Sequence, residues 1–196
     1  MLFFRKPSLA RRADFQAAQR ALTFTYAAVG TTAGLTPAGY NLDHTRIKLG
    51  QGEAVYHAAR RALESWQQFQ LGWVEPWPAD TPLRVGEVVT VAVRTFGVWT
   101  LNACRIVYIV SEEGPLTKFG FAYGTLPGHA ETGEERFLVE WDRADDAVWY
   151  DIRAFSRPRH LLARLGHPVV RRLQKRFGRD SAAAMSRASA LARTKA

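Results

Sequence analysis

The chain has 196 residues, a formal net charge of +9 and a single cysteine, Cys104. This length fits one domain with its own hydrophobic core, and one cysteine excludes both an internal disulfide and a multi-cysteine metal site. No segment approaches the roughly 18 uncharged apolar residues of a transmembrane helix. We therefore expect a cytoplasmic protein without a transmembrane segment, since a lone cysteine suits a reducing compartment.

The positive charge is concentrated at the two ends of the chain. Residues 1–22 carry a net charge of +4 and residues 153–196 carry +11, whereas residues 23–152 carry −6. Basic helices bind phosphates of nucleic acids or lipid headgroups, but they also occur as solvated helix faces. Because no nucleic-acid-binding motif accompanies the charge, we expect no specific nucleic-acid binding. A weak contact between the basic C-terminal helix and an anionic surface stays open.

The first half of the chain predicts two helices and a strand. Ser8 can cap a helix that continues to about Leu22, and a linker containing Gly and Pro follows it. Residues 43–49 suit a short strand, and residues 53–69 have the apolar periodicity of a helix. This helix should pack on a sheet through the stripe formed by Val55, Ala58, Ala59, Ala62, Leu63, Trp66 and Phe69.

From residue 71 the hydrophobic pattern changes to period 2, which predicts a run of antiparallel strands joined by short turns. The expected strands cover residues 71–77, 87–96, 98–110, 116–125, 135–141 and 147–155. From Arg159 the period returns to 3.6, which predicts a long C-terminal helix with an interruption near Gly166. After Gly178 the alanine-rich sequence supplies little to bury, so its end should fray.

This order of elements predicts an α+β fold in which a curved antiparallel sheet of about six to seven strands wraps a long C-terminal helix. An extra helix precedes this core. We divide the chain into an N-terminal helical extension and linker (1–39), a core domain (40–180) and a basic, alanine-rich tail (181–196). The order resembles the helix-grip fold of the START-like superfamily, which includes the birch pollen allergen, lipid-transfer domains and polyketide cyclases.

A closer resemblance covers about residues 22–175. The sequences that carry it are LGQGEAVYHAARRALESW, GVWTLNACRIVYIV, FGFAYGTLPGHAETGEERFLV and IRAFSRPRHLLARLGHP. They resemble the uncharacterised bacterial and plant family known as domain of unknown function number 1990. The resemblance implies a START-like domain and brings no established activity with it.

The stretch from Phe119 to Phe137 predicts the rim of a pocket. Alternation places Phe119, Phe121 and Tyr123 on one face of a strand, and the following Pro-Gly turn carries His129 with Glu131, Glu134 and Glu135. The same rule places Asn102, Cys104, Ile106, Tyr108, Phe137, Val139, Trp141, Val148, Tyr150 and Ile152 on the inner face. Such walls either fill a core or line a cavity, and the sequence leaves both open.

In the cavity interpretation, a small hydrophobic or amphipathic ligand is held by burial of apolar surface. The predicted ligand-binding residues are Tyr108, Phe121, Tyr123, His129, Glu134, Trp141 and Tyr150. Binding of such a ligand between the sheet and the C-terminal helix is the leading functional hypothesis. One alternative is an enzyme of cyclase or hydrolase type, and another is an adaptor whose basic termini dock on acidic partners or a membrane surface.

The enzyme alternative has three candidate catalytic residues. His129 could form an acid–base pair with Glu131 or Glu134, although an exposed turn rich in His and Glu equally suits ordinary ion pairs. Cys104 could act as a nucleophile only if a neighbour such as Arg105 lowers its pKa, whereas a buried strand cysteine is typically inert. We expect no metal and no cofactor, because the histidines lack metal-ligand spacing.

Overall fold

A computed structural model of the chain describes residues 2–34, 36–159 and 167–190. Within these residues, eight strands form one antiparallel sheet. The strands are β1 (Leu2–Phe3), β2 (Asn41–Gln51), β3 (Val74–Trp77), β4 (Val88–Thr95), β5 (Val98–Glu112), β6 (Leu116–Thr125), β7 (Glu131–Asp142) and β8 (Ala147–Pro158). Their order is β2-β8-β7-β6-β5-β4-β3, with β1 beside β5. The helices are α1 (Leu9–Gln19), α2 (Glu53–Glu64) and α3 (His167–Ala190).

The main core lies between the concave face of the sheet and the helices α2 and α3. It combines the predicted stripe of α2 with inward-facing strand residues such as Phe121 and Phe137, and with Met185 of α3. Alternation along each strand directs apolar side chains to this face, where the helices exclude water from them. The predicted α+β helix-grip fold, with its additional N-terminal helix, is thereby confirmed.

The helix predicted over residues 53–69 ends earlier than its apolar stripe does. Trp66 adopts a left-handed backbone conformation with φ of 54°, which stops the regular helix after Glu64. The Trp66 indole is buried and donates a 2.7 Å hydrogen bond to the carbonyl of Thr81. A 3-10 turn at Gln67–Phe69 then carries Phe69 into the core.

The alanine-rich end of α3 is packed as far as residue 190, whereas the sequence predicts fraying over about the last dozen residues, of which 191–196 lie outside the described residues. Residues 181–190 continue the helix, and Ser181, Ala182, Met185 and Ser189 are buried. Small residues allow the helix to approach its neighbours closely, so little side-chain volume is needed to close the interface. The predicted interruption near Gly166 lies outside the described residues.

The convex face of the sheet is covered by the described residues of the predicted N-terminal extension and linker. Phe15 of α1 and Phe24 pack against Val88, Ala103 and Leu126 on this face. Farther along the chain, Tyr26 packs edge-on against Phe155 of β8, with ring centroids 5.6 Å apart. The extension is therefore an integral second layer of the domain rather than an appended helix.

Candidate ligand-binding cavity

A cavity of about 830 Å³ lies between the concave face of the sheet and the N-terminal half of α3. Its volume is within the range of about 300–1,000 Å³ typical of small-molecule sites. Strands β4 to β8, β2 and the turn after β6 all contribute to its walls. Apolar wall residues include Phe69, Trp73, Val91, Ile152, Leu173 and Phe177.

The rest of the concave face is filled. Phe121 packs against Trp66 with ring centroids 4.9 Å apart, and the Trp141 ring stacks on Tyr56 at 5.8 Å. The hydroxyl of Tyr150 is hydrogen-bonded to Ser181 of α3 at 2.9 Å. Phe121, Trp141 and Tyr150 were predicted to bind the ligand, but the structure places them in this packed region rather than along the cavity wall.

A polar row crosses the concave face beside the cavity. The strand registers align Asp43 of β2, Ala154 of β8, Glu135 of β7 and Tyr123 of β6. Tyr123 donates a 2.8 Å hydrogen bond to Glu135. The charge of Asp43 is compensated by the guanidinium of Arg171, which makes two hydrogen bonds to its carboxylate. Among the described residues, Glu135 has no such cationic partner.

Two carboxyl groups in the cavity wall have strongly raised pKa values. Burial raises the pKa of Glu135 to about 7, with a further contribution from the negative charge of Asp43. Burial likewise raises the pKa of Glu131 to about 7, against the opposing influence of Arg171. The Oε1 atom of Glu131 is buried without a hydrogen-bond partner in the described part of the chain. The cavity therefore contains carboxyl groups that change charge near neutral pH.

His129 lies at the same end of the cavity as Glu131. Its Nδ1 atom is 3.0 Å from the backbone nitrogen and 3.1 Å from the carbonyl oxygen of Glu131. Burial lowers the pKa of His129 to about 4, so the ring is neutral near pH 7. A neutral, backbone-anchored imidazole shapes the turn, and it is a weaker base than an ordinary histidine.

The carboxylate of Glu134 is held on the opposite side of the sheet. It accepts hydrogen bonds of 2.7 Å from both the Tyr26 hydroxyl and the Gly30 amide, and one of 3.0 Å from the Thr32 amide. The Thr32 hydroxyl also donates to it. Glu134 is 2% exposed and borders the cavity, but its carboxylate is hydrogen-bonded to the N-terminal segment. It was predicted at the cavity mouth beside His129, and the two side chains have separate partners.

Tyr108 also faces the N-terminal segment, although simple alternation predicts that it faces inward. A bulge between Ile106 and Tyr108 shifts the register of β5 against β6, so Tyr108 pairs with Ala122 instead of continuing the inward row. Its hydroxyl is 2.8 Å from that of Thr32. Tyr108 is therefore on the convex face.

Cys104 is fully buried in the main core. Burial raises the pKa of its thiol well above the ordinary value, and the nearby Glu135 adds to this effect. A nucleophilic cysteine needs the opposite shift. Together with the separate environments of His129 and Glu134, this arrangement gives no nucleophile–base pair among the three predicted catalytic residues.

The described residues contain no group of three or more His, Cys, Asp or Glu side chains arranged to hold a metal ion. None of the described helices combines the length and apolar character needed to cross a membrane.

Comparison with known proteins assigns this chain to a protein family. The model of the family described as "Domain of unknown function (DUF1990)" matches residues 25–184. The chain belongs to this DUF1990 family. A protein of Dictyostelium discoideum named "UPF0548 protein" is 37% identical over 207 residues, which cover 96% of this chain and 95% of the relative. A protein of the same name from Deinococcus radiodurans is 38% identical over 200 residues, covering 96% and 99% respectively.

A solved structure shares the fold of this DUF1990 chain. It is the crystal structure of the hypothetical protein jhp0584 from Helicobacter pylori, with a TM-score of 0.51. The similarity covers 85% of this chain and 99% of the other at 12% sequence identity. At this level of identity the similarity concerns the fold alone.

The sequence of this DUF1990 chain indicates, through strand alternation, that Glu131 and Glu135 face the cavity. Residues 131, 133, 135 and 137 share one face of β7, so Glu131 and Glu135 lie on the same side as Phe137, whereas Glu134 lies on the other. Starting the strand at residue 135 hid Glu131 from this pattern, because the first four residues of β7 then counted as turn. The contributions of Phe69, Arg171 and Phe177 come from the packing of distant elements and had no such signal.

Proposed function

We propose that this protein binds a small hydrophobic or amphipathic ligand in the cavity between the sheet and α3. The observation that carries the proposal is the cavity itself, which is concave, predominantly apolar and of the size of small-molecule sites. Beside it, the same concave face is filled by interlocking rings such as Phe121 and Trp66. A cavity of about 830 Å³ next to this packed region is well suited to a small-molecule ligand.

The residues that line the cavity favour an amphipathic ligand. The apolar side chains favour a hydrocarbon or ring system, and burial of about 200 Å² of ligand surface contributes on the order of 5 kcal/mol. Glu131, Glu135 and Tyr123 supply polar groups at defined positions in an otherwise apolar wall. Such groups orient a ligand that burial alone would hold in several poses.

Calorimetric titration with 1-decanol tests this proposal with a neutral amphipathic probe. Wild-type protein should bind the alcohol with a stoichiometry near one and a negative heat-capacity change, which marks burial of apolar surface. Ala154→Phe should abolish binding, because Ala154 lies in the cavity wall directly across from Glu135. Val93→Phe fills the cavity from β4 and provides a second, independent blocked variant.

The matched control is Ala144→Phe, which makes the same substitution in the exposed turn between β7 and β8. It should bind 1-decanol as the wild type does. Circular dichroism identifies any variant that fails to fold. Absence of decanol binding by the wild type, or unchanged binding by both folded blocked variants, would contradict the proposal.

A further inference from the structure

Resting on the proposed function, we propose that the natural ligand carries a basic amine, and that this amine forms an ion pair with Glu135 inside the cavity. The ligand class is therefore an amphipathic or aromatic amine rather than a fatty acid or a neutral lipid. The inference depends on the position of Glu135, the rings around the cavity and the distribution of cations.

Glu135 is placed to receive a cation from the cavity. It lies in the cavity wall, and the hydrogen bond from Tyr123 is the one that its carboxyl group makes with a described side chain. A carboxylate can accept about four hydrogen bonds, so most of its capacity remains for a ligand. An ammonium group on the ligand would supply both donors and the missing positive charge.

Aromatic rings surround the same part of the cavity. The ring of Phe69 is 5.9 Å from that of Tyr123 and 5.2 Å from that of Phe177, measured between centroids, and all three residues line the cavity. Aromatic faces attract cations by about 0.5–2 kcal/mol in addition to any ion pair. A carboxylate beside several rings is thus a suitable environment for an amine attached to an apolar body.

The described residues supply little positive charge to the interior of the cavity. Arg171 reaches it from α3 but is committed to Asp43 and to Gln174, the latter at 2.8 Å. Lys175 and Arg179 also border the cavity, and both are exposed to solvent, where ion pairs contribute little. A carboxylate ligand inserted beside Glu135 would meet like charge, whereas an amine would neutralise it.

Glu131 adds a second acidic group on the same strand. It is four residues from Glu135, or about 13 Å along an extended strand. Its Oε1 atom is buried and has no hydrogen-bond partner among the described residues. Both groups therefore favour cationic rather than anionic ligand chemistry, and Glu131 provides the matched control for Glu135.

The ion pair requires Glu135 to be ionised, so amine binding should depend on pH. Several titratable or charged groups face Glu135: Asp43 from β2, Tyr150 from β8, Tyr123 from β6, Cys104 from β5 and, across the cavity, Arg171, Lys175 and Arg179 from α3. Of these, the tyrosines and Cys104 have raised pKa values and stay neutral at pH 8. Near neutral pH the carboxyls of Glu135 and Glu131 change charge, and the pKa of each is about 7.

The test compares decylamine, 1-decanol and decanoate by calorimetry at pH 5.5 and pH 8. A primary amine with a pKa of about 10 stays protonated at both values. Because the apparent affinity rises with the ionised fraction of a group with a pKa of about 7, wild-type protein should bind decylamine more tightly at pH 8, by up to about 30-fold. Binding of 1-decanol should change little. Decanoate should bind more weakly than decylamine at pH 8.

Glu135→Gln should bind decylamine at least about tenfold more weakly than the wild type at pH 8 and lose most of the pH dependence. Its affinity for 1-decanol should fall far less than its affinity for decylamine, and circular dichroism shows whether the variant is folded. Glu131→Gln should keep most of the pH dependence.

Four results would overturn the inference while leaving the proposed function intact, provided 1-decanol binds. They are equal affinity for decylamine and 1-decanol at pH 8, an affinity for decylamine that does not rise with pH, unchanged decylamine binding by Glu135→Gln, and preferred binding of decanoate. If no probe binds to wild-type protein, the proposed function falls together with the inference.

Discussion

Tyr123 and Glu135 face each other across β6 and β7, and the tyrosine hydroxyl donates a 2.8 Å hydrogen bond to the carboxyl group. This pair lies where the apolar cavity wall meets the polar row on the concave face. Since burial raises the pKa of Glu135 to about 7, the pair links the charge state of the cavity to the pH of the surroundings.

The first prediction concerns the stability of the wild type and of Glu135→Gln. The pKa of Glu135 is about 7 in the folded state and near 4.5 in the unfolded state, so its contribution to stability is present below about pH 4.5 and is lost as the pH rises through 7. At pH 8, Glu135→Gln should therefore be more stable than the wild type, by on the order of 2–3 kcal/mol.

At pH 5 the difference between the two free energies of unfolding in urea should shrink to less than about 1 kcal/mol, because Glu135 is mostly protonated in the folded state there. The lowered pKa of His129 acts in the opposite direction at acidic pH, but it is common to both proteins and cancels in the comparison. Glu112→Gln, at an exposed site, is the control. A Glu135→Gln variant less stable than the wild type at pH 8 would be inconsistent with a partly buried, uncompensated carboxylate.

The second prediction concerns Glu134 as the hydrogen-bond acceptor that holds the N-terminal segment on the sheet. Glu134→Ala removes the acceptor for the Tyr26 hydroxyl and for the amides of Gly30 and Thr32. Loss of charge-assisted hydrogen bonds with buried partners should lower the free energy of unfolding by about 2–4 kcal/mol. Amide hydrogen exchange should accelerate in residues 24–34, while folded protein still binds 1-decanol.

Glu112→Ala serves as the control, since its exposed ion pair with Lys118 is worth at most about 1 kcal/mol. A Glu134→Ala variant with normal stability and lost decanol binding would instead favour the role at the cavity mouth that the sequence predicts for this residue.

The third prediction concerns the close approach of Tyr26 to the sheet. A Cβ atom at Gly124 would lie 1.9 Å from the Tyr26 hydroxyl oxygen, so Gly124→Ala must displace that ring and its hydrogen bond to Glu134. We expect a loss of about 2 kcal/mol or more in thermal or urea unfolding. Glu112→Ala, at an exposed site, is the control. Equal stabilities of the two variants would argue against the close approach.

The fourth prediction concerns the C-terminal half of α3. Met185 is fully buried in the main core, so Met185→Ala should lower the free energy of unfolding by about 2–5 kcal/mol. Arg187→Ala, on the exposed side of the same turn, should change it by less than about 0.5 kcal/mol. If Met185→Ala were as mild as Arg187→Ala, this part of the helix would not belong to the core.

Local patterns predicted much of this fold. The stripe of α2 and the alternation in β4 to β8 follow from which side of each element is shielded from water, and residues such as Leu63 and Phe137 are buried as expected. Tyr108 departs from the pattern because one bulge reverses the parity of β5 beyond it. Trp66 ends α2 early through a contact with Thr81 that periodicity cannot anticipate.

The cavity, and the hydrogen bonds that hold the N-terminal segment on Glu134, were harder to predict from the sequence. The cavity depends on the distance between the sheet and α3, and the local sequence pattern of either element does not determine that distance. The partner of Glu134 is Tyr26, 108 positions away in sequence, so its structural role becomes visible only in three dimensions. Strand parity points to Glu135, because the predicted strand 135–141 already places it on the same side as Phe137, whereas Glu131 is reached only when β7 begins at residue 131.

Native mass spectrometry of the protein purified from cells tests the central claim most directly. We predict that wild-type protein carries one small molecule per chain, which is released on denaturation, and that Ala144→Phe carries the same molecule. Folded Ala154→Phe should show the mass of the bare chain, because its cavity is filled. Wild-type protein without any bound small molecule, or the same adduct retained by Ala154→Phe, would contradict ligand binding in the cavity.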